Sequence, residues 1–269
     1  MPLSRSIEII PIMCKKRFES FNLASAILED SERATVGLKD GDIVVVSSKF
    51  ASVSEGRMVE LRRVKAGPMA RSIAKSYKMK PELAELVMNE SDSILGGING
   101  FLLTINDGVL APNSGLDLSN APKGWAILYP KNKEGTAKKL RNNLIRMNAR
   151  RGRKITRLGV ILSDSRVTPT RLGTVGVAIA TAGIRPTVDM RGKKDLFGNE
   201  LKVTLKGLAD QIASAAEICM GEASESIPIV LIRGVSQAFE KPRTNSEREM
   251  TIAPDKCLII SGLRNVRRT

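Results

Sequence analysis

The 269-residue chain contains no histidine. That absence removes Ser-His-Asp and Cys-His catalytic arrangements and every His-ligated zinc site, so any metal held here would be a hard cation on oxygen donors. Cysteine is nearly as scarce. Cys14, Cys219 and Cys257 stand far apart, which excludes a CxxC metal knuckle and a paired disulfide framework and fits a reducing cytosol. Cys219 falls on an apolar helical stripe and is expected as a small core residue. One Trp and two Tyr leave little surface for stacking single-stranded bases. No apolar run is long enough to cross a bilayer, and the first one is interrupted at Cys14-Lys-Lys-Arg17, too soon for a signal peptide. A soluble, cytoplasmic protein without a membrane partner is expected.

What the chain has in excess is positive charge: 43 Lys+Arg against 28 Asp+Glu, a formal +15. Such a surplus attracts nucleotides, phosphorylated substrates or nucleic acid without choosing among them. Residues 131–157 alone carry eleven Lys or Arg and one Glu, a local +10. The plain reading is a solvated helix and connector; the sharper one is a nucleic-acid contact surface.

Short apolar runs predict strands at Ile7–Met13, Ile43–Val46, Phe101–Ile105, Trp125–Tyr129, Leu158–Leu162, Val175–Ile179, Ile227–Ile232 and Cys257–Ile260. Between them, helices are predicted over Pro68–Met79 and Pro81–Met88, each opened by proline, and over Thr204–Met220, closed by Gly221. The result is an α+β chain in two parts. An N-terminal α/β part over 1–130 holds a nucleotide and metal loop, a basic helix and connector follow over 131–157, and a C-terminal α/β part over 158–269 carries a second metal loop and an extension.

Four segments bear chemistry. Asp164-Ser-Arg166 follows the apolar run Leu158–Ser163, putting a carboxylate and a hydroxyl at a strand end where a divalent ion would find anchors; Arg166 and Arg171 could neutralise phosphate beside it. The plain alternative is a pair of surface arginines. Asn113–Asn120 sets Asn113, Asp117, Ser119 and Asn120 around a glycine, either a cation-holding turn or an Asx-turn satisfying its own backbone. Asp189–Gly198 crowds two acids, three bases and two glycines together, either as a charged turn or as Arg191, Lys193 and Lys194 approaching an acidic substrate, oriented by Asp189 or Asp195. Gly41–Lys49 ends a buried strand in Ser47, Ser48 and Lys49, donors that suit a phosphate, although the segment is neither a Walker loop nor a GxGxxG fingerprint.

In order, GDIVVVSSK, SEGR, ELVMNES, PNSGLDLSN, VILSDSR, RLGTVGVAIATAG, DMRGKKDLFG and PIVLIRG resemble the coenzyme F-420 gamma-glutamyl ligase family over about residues 7–234. The resemblance implies an unusual two-part α+β fold in an intertwined homodimer. It also implies joining of L-glutamate to F-420-0 with GTP through an acyl phosphate, and Mg²⁺ or Mn²⁺ in a site that holds two ions in the family. Carried over position by position, it implies metal ligation by Asp117, Asp164 and Ser165, nucleotide binding by Pro11, Ile12, Ser48, Lys49 and Asn120, and catalytic roles for Arg171, Asp189 and Arg191. Departures stand at Val53, where a lysine is usual, at Thr168-Pro-Thr-Arg171, at Asp107, and at Leu205, aligned where a glutamine usually serves the second metal. They leave open an amide ligase with a different phosphorylated acidic acceptor. A nucleic-acid-binding protein that kept the fold is the third reading. The resemblance gives no role to the chain beyond Gly234, including the basic tail 264–268.

Overall fold

A computed structural model describes residues 6–264; the basic tail beyond Arg264 lies outside the described residues. The elements run β1 (Glu8–Ile12), α1 (Leu23–Arg33), β2 (Asp42–Ser47), α2 (Ser48–Ser54), β3 (Met58–Glu60), α3 (Pro68–Ser76), α4 (Pro81–Glu90), β4 (Ser93–Ile98), β5 (Phe101–Asn106), β6 (Val109–Pro112) and β7 (Trp125–Ile127). They continue with α5 (Lys133–Arg150), β8 (Leu158–Val167), β9 (Thr174–Ala182), β10 (Thr187–Asp189), β11 (Leu205–Gly207), α6 (Leu208–Met220), β12 (Ile229–Arg233) and α7 (Leu258–Arg264). This is the mixed α/β architecture expected.

Two units make up the chain, and neither is continuous. The larger takes the residues through Met58 together with Tyr129–Arg248; the smaller takes Val59–Leu128 and the residues from Glu249 onward. This differs from three consecutive segments cut at 130 and 157, and the larger sheet explains why. Its strand order is β1-β12-β2-β8-β9, so strands from the two ends of the chain alternate side by side. The central runs Ile43–Val46, Leu158–Leu162 and Ile229–Ile232 are buried throughout, as continuous Val/Ile/Leu strands covered on both faces require. β2 and β8 run parallel, with Asp42 opposite Leu158 and Ser47 opposite Ser163. Arg233 closes the β12 edge of β2 with a 2.8 Å bond from Nε to the buried Asp42 carboxylate.

Two helices of this unit, α5 and α6, pack against β8 and β9. α5 begins at Asn132, whose Oδ1 accepts from Gly135 N at 2.7 Å, and buries Ala137, Leu140 and Leu144. α6 lies on β9 so closely that a Cβ at Gly176 would stand 2.5 Å from the Ala213 carbonyl and 2.9 Å from Glu217 Cβ; only glycine fits there. In the smaller unit, β4, β5 and β6 form an antiparallel sheet, and β3 pairs with β7.

Several boundaries differ from expectation for local reasons. β8 does not stop at Leu162: a bulge between Leu162 and Ser163 lets it pair onward with β9 to Val167, so Asp164 sits within a strand rather than at its tip. The parallel partner β2 does end at Ser47, however, so Asp164 is the first β8 residue past that pairing. The helix expected from Thr204 starts at Leu208, because Leu205–Gly207 pair with β10 as β11. Cys257–Ile260 is no strand. The described residues offer it no partner strand, and the run folds into α7, with Ser261 N bonded to Cys257 O at 2.9 Å. Three apolar residues in a row do not distinguish the two. Cys219 is only partly buried; Cys14 is the cysteine enclosed by the core.

Candidate functional site

The parallel pairing of β2 and β8 brings two strand ends to one level, and the chemistry gathers there. After Ser47 the chain turns into α2, and the first residue of that helix, Ser48, is buried and donates its hydroxyl to Asp164 Oδ1 at 3.1 Å. Asp164 Oδ2 accepts from Tyr129 OH and, at 2.9 Å, from Arg166 Nε. Arg166 Nη2 in turn donates to Tyr129 Oη at 2.5 Å. Strand alternation puts Asp164 and Arg166 on one face, which makes this pairing local and inexpensive. Arg166 is buried, with 6% of its side chain exposed, so it is not the surface arginine of the plain reading. Its charge is spent on Asp164 rather than offered to a phosphate.

The electrostatics agree. Burial, then the Asp164 carboxylate, raises the Tyr129 hydroxyl well above its ordinary pKa, keeping it a neutral donor. Burial opposes the charge of Arg166, but Tyr129 and Asp164 outweigh it and hold the guanidinium more firmly charged.

On the neighbouring edge, Ser165 donates to Glu222 Oε2 at 3.2 Å, and Thr174 donates to Glu222 Oε1. Glu222 stands just past Gly221, which ends α6 at φ 68°. One turn back on α6, Glu217 is pushed up to about 7 by burial first and then by Glu222 and Asp164, with Lys49 pulling the other way. Ser48, Lys49, Asp164, Ser165, Glu217 and Glu222 thus share one neighbourhood of the larger unit. Tyr129, Glu217 and Glu222 carry no motif and escaped the sequence reading. The turn Gly221-Glu-Ala-Ser-Glu-Ser226 had the same signal as residues 113–120, short oxygen-bearing side chains after a glycine. Leu205 cannot serve a metal as glutamine would: it is apolar and lies in β11 opposite Asp189, while the acidic side chain beside Ser165 is Glu222.

The donor set suits a hard divalent cation held lightly. Asp164 already accepts three hydrogen bonds, which leaves about one of a carboxylate's roughly four lone-pair positions. Ser165 and Glu222 add oxygens. Among the described residues no group of three or more Asp, Glu, Cys or His is placed to hold a metal. A cation here would therefore complete its shell from water and phosphate, the ordinary way of Mg²⁺.

The other expected site residues belong to other segments. Pro11 is exposed on the edge strand β1, where a residue without an N–H is tolerated; Ile12 is fully enclosed in the core, so its side chain cannot line a pocket. Arg171 sits exposed in the turn joining β8 to β9, behind Thr170 at φ 61°. Val53, where a lysine is usual, is buried in α2. Asp117 and Asn120 belong to the smaller unit. There Asp117 pairs with Ile127 through the backbone, and its Oδ1 accepts from Ser119 N at 2.6 Å, the Asx-turn of the plain reading. Asn120 takes φ 53° in the same turn. Asp107 and Gly108, both at positive φ, make the turn between β5 and β6.

Asp189 and Arg191 form a second constellation at the end of β10. Arg191 Nε donates to Asp189 Oδ1 at 2.9 Å and Nη2 to Oδ2 at 2.6 Å, a bidentate pair that holds the Asp189 carboxyl well below its usual range. Asp189 therefore orients Arg191, whereas Asp195 accepts from Phe197 N and Asn199 N and shapes the turn beyond. The basic stretch 131–157 is the helix and connector of the plain reading, and much of its charge is used within the larger unit. Arg151 and Arg153 meet Glu32, Arg157 meets Asp40, and Arg141 Nε donates to Leu158 O. No helix among the described residues is long and apolar enough to cross a membrane.

Residues 15–234 match the sequence profile of the F420-0:gamma-glutamyl ligase family. The chain is 37% identical over 240 residues to a coenzyme F420:L-glutamate ligase of Methanocaldococcus jannaschii, covering 87% of this chain and 90% of that one. It is 35% identical over 241 residues to the Methanopyrus kandleri ligase of the same name, covering 88% and 91%. With that of Methanosarcina mazei the identity is 30% over 263 residues, 97% of this chain and 96% of the other.

Proposed function

The chain belongs to the F420-0:gamma-glutamyl ligase family, and from that premise we propose that it joins L-glutamate to F420-0 with GTP and a divalent metal, as a homodimer. The observation that carries the reading beyond the family is the two oxygen-donor groups on β8 beside Lys49, Asp164 with Ser48 on one face and Ser165 with Glu222 on the other. A carboxylate and an amine do not condense at neutral pH until one carboxylate oxygen is made a leaving group. In this reading the acceptor carboxylate attacks the γ-phosphate of GTP, GDP departs, and the α-amino group of glutamate displaces phosphate from the acyl phosphate.

When bound, Mg²⁺ or Mn²⁺ would neutralise charge on the transferring phosphoryl group. Asp164 would supply a ligand from one face of β8, and Ser165 with Glu222 from the other. Ser48, Tyr129 and Arg166 fix the direction of the Asp164 carboxylate. Lys49 supplies positive charge for the nucleotide. Arg171, in an exposed turn, supplies a cation that can approach phosphate, and the Asp189-oriented Arg191 faces the acidic acceptor.

Mass spectrometry of F420-0 incubated with the protein, L-glutamate, GTP and Mn²⁺ tests the reading, with ATP and metal-free controls. A GTP- and metal-dependent gain of glutamyl mass is expected. No gain with any nucleotide would overturn it, and a gain with ATP alone would correct the nucleotide.

A further inference from the structure

The matched profile ends at residue 234, yet the chain continues through the larger unit as far as Arg248. That continuation is wrapped around the base of β10. Arg185, buried, donates from Nε to Gln237 O at 2.9 Å and from Nη2 to Glu240 at 2.7 Å. Its Nη1 reaches Glu247 Oε1 at 3.1 Å. Glu247 is wholly enclosed and accepts at both ends of its carboxylate: Asp189 N at 3.0 Å on Oε1 and Arg243 N at 2.6 Å on Oε2. Thr244 Oγ1 donates to Asp189 Oδ2 at 3.2 Å, and Arg191 Nη2 donates to Ser246 Oγ at 3.2 Å.

Among the described residues, the hydrogen bonds that reach Asp189 and Arg191 from outside residues 187–207 come from Thr244, Ser246 and Glu247. What they fix is the root of an arm. Residues 190–204 run out and back as a ladder, with Met190 N on Thr204 O, Gly192 N on Leu201 O and Leu201 N on Lys193 O. Arg191 is 44% exposed, and its Nη1 donates to no group among the described residues. Lys193 and Lys194 follow in the open, and at the tip Leu196 and Phe197 are 99% and 91% exposed.

We infer that residues 243–248 are a strap that sets this arm to receive the anionic acceptor, with Glu247 a positioning residue acting through Asp189 on Arg191. The inference rests on the ligase reading above and deepens it. The arm matches the acceptor better than glutamate: a phosphodiester and a carboxylate suit cations spaced along a strand, and a planar ring suits the bare apolar tip. Glutamate is also a net anion, but it has no apolar ring for the tip to cover. Glu247 is enclosed because an arm that carries four cations needs its root held by a group that water cannot compete with.

Steady-state kinetics with F420-0 varied at saturating L-glutamate, GTP and Mn²⁺ test this on wild type, Arg191→Ala, Glu247→Gln and Ser246→Ala. Arg191→Ala is expected to raise KM for F420-0 by about 30-fold, and Glu247→Gln by about tenfold, with kcat within about twofold and KM for GTP unchanged. Ser246→Ala leaves Glu247 in place and is expected to give a rise of about threefold, so it reads the strap even if Glu247→Gln fails to fold. Unchanged KM in the strap variants beside a raised one in Arg191→Ala would overturn the positioning role. Equal changes in kcat and in KM for GTP would reduce the strap to a structural tie, also overturning it. No effect of Arg191→Ala would remove the arm from acceptor binding, while loss of turnover in the wild type would sink the ligase reading itself.

Discussion

The larger unit uses the spacing Asp-x-Arg twice, and the two uses differ in every respect but the spacing. At Asp164 and Arg166 the pair lies within a central strand, buried, with Ser48 and Tyr129 taking two further positions. At Asp189 and Arg191 it lies at the root of an exposed arm, bidentate, with one edge of the guanidinium open. In the first the arginine serves the carboxylate, keeping it aimed. In the second the carboxylate serves the arginine, keeping a cation presented outward. Burial decides which partner of an ion pair is the functional one, because the enclosed arginine has no face left for a ligand.

The largest effect that would test this contrast is on Asp164. Asp164→Asn keeps the shape but removes the charge, and turnover is expected to fall at least about 10³-fold in the mass-spectrometric assay. Activity within about tenfold of wild type would move the metal away from β8.

Smaller, and aimed at the pair itself, are the arginine variants. Arg166→Met leaves a carboxylate in a largely enclosed place without its cation and is expected to cost about 3 kcal/mol in urea unfolding. Arg191→Met is expected to move the unfolding midpoint less, since the Arg191 guanidinium is itself 44% exposed and the buried Asp189 carboxylate keeps the Arg191 N–H and the Thr244 hydroxyl as donors. Equal losses would erase the distinction between the two sites.

The smallest effect is a pH dependence at the edge of the buried site. Glu217 is raised to about 7 from an ordinary 4.5, so between those values the folded chain keeps a proton that the unfolded chain releases. Stability from this group is complete below about 4.5 and lost as pH rises through about 7. Glu217→Gln is expected to melt roughly 2 °C higher than wild type at pH 8 and at the same temperature at pH 4. A difference that persists at pH 4 would mean that packing, not charge, is responsible.

Much of this was legible in the residues. The Val/Ile/Leu runs of β2, β8 and β12 announce buried strands, and Pro68, Pro81 and Gly221 mark helix ends where the structure has them. Asp164, Ser165, Ser48 and Lys49 stand out as polar groups closing apolar runs, and they do share one neighbourhood. What stayed hidden is what depends on distant pairing. No local pattern says that β1 lies against β12, or that Tyr129 meets Asp164 across the fold. Leu205 reads as a lost ligand, and nothing local to it points to the acid beside Ser165, which comes from the loop after α6.

The interleaved strand order has a consequence for synthesis. β1 leaves the ribosome first but has Ile10 opposite Leu231, so its edge stays open until nearly the whole chain has emerged. The meander of β4, β5 and β6 comes from contiguous residues and can close as soon as it is made. Translation therefore finishes a small sheet while the large one waits with β2 unpaired, and it is on that waiting strand, rich in valine, that a chaperone would be needed.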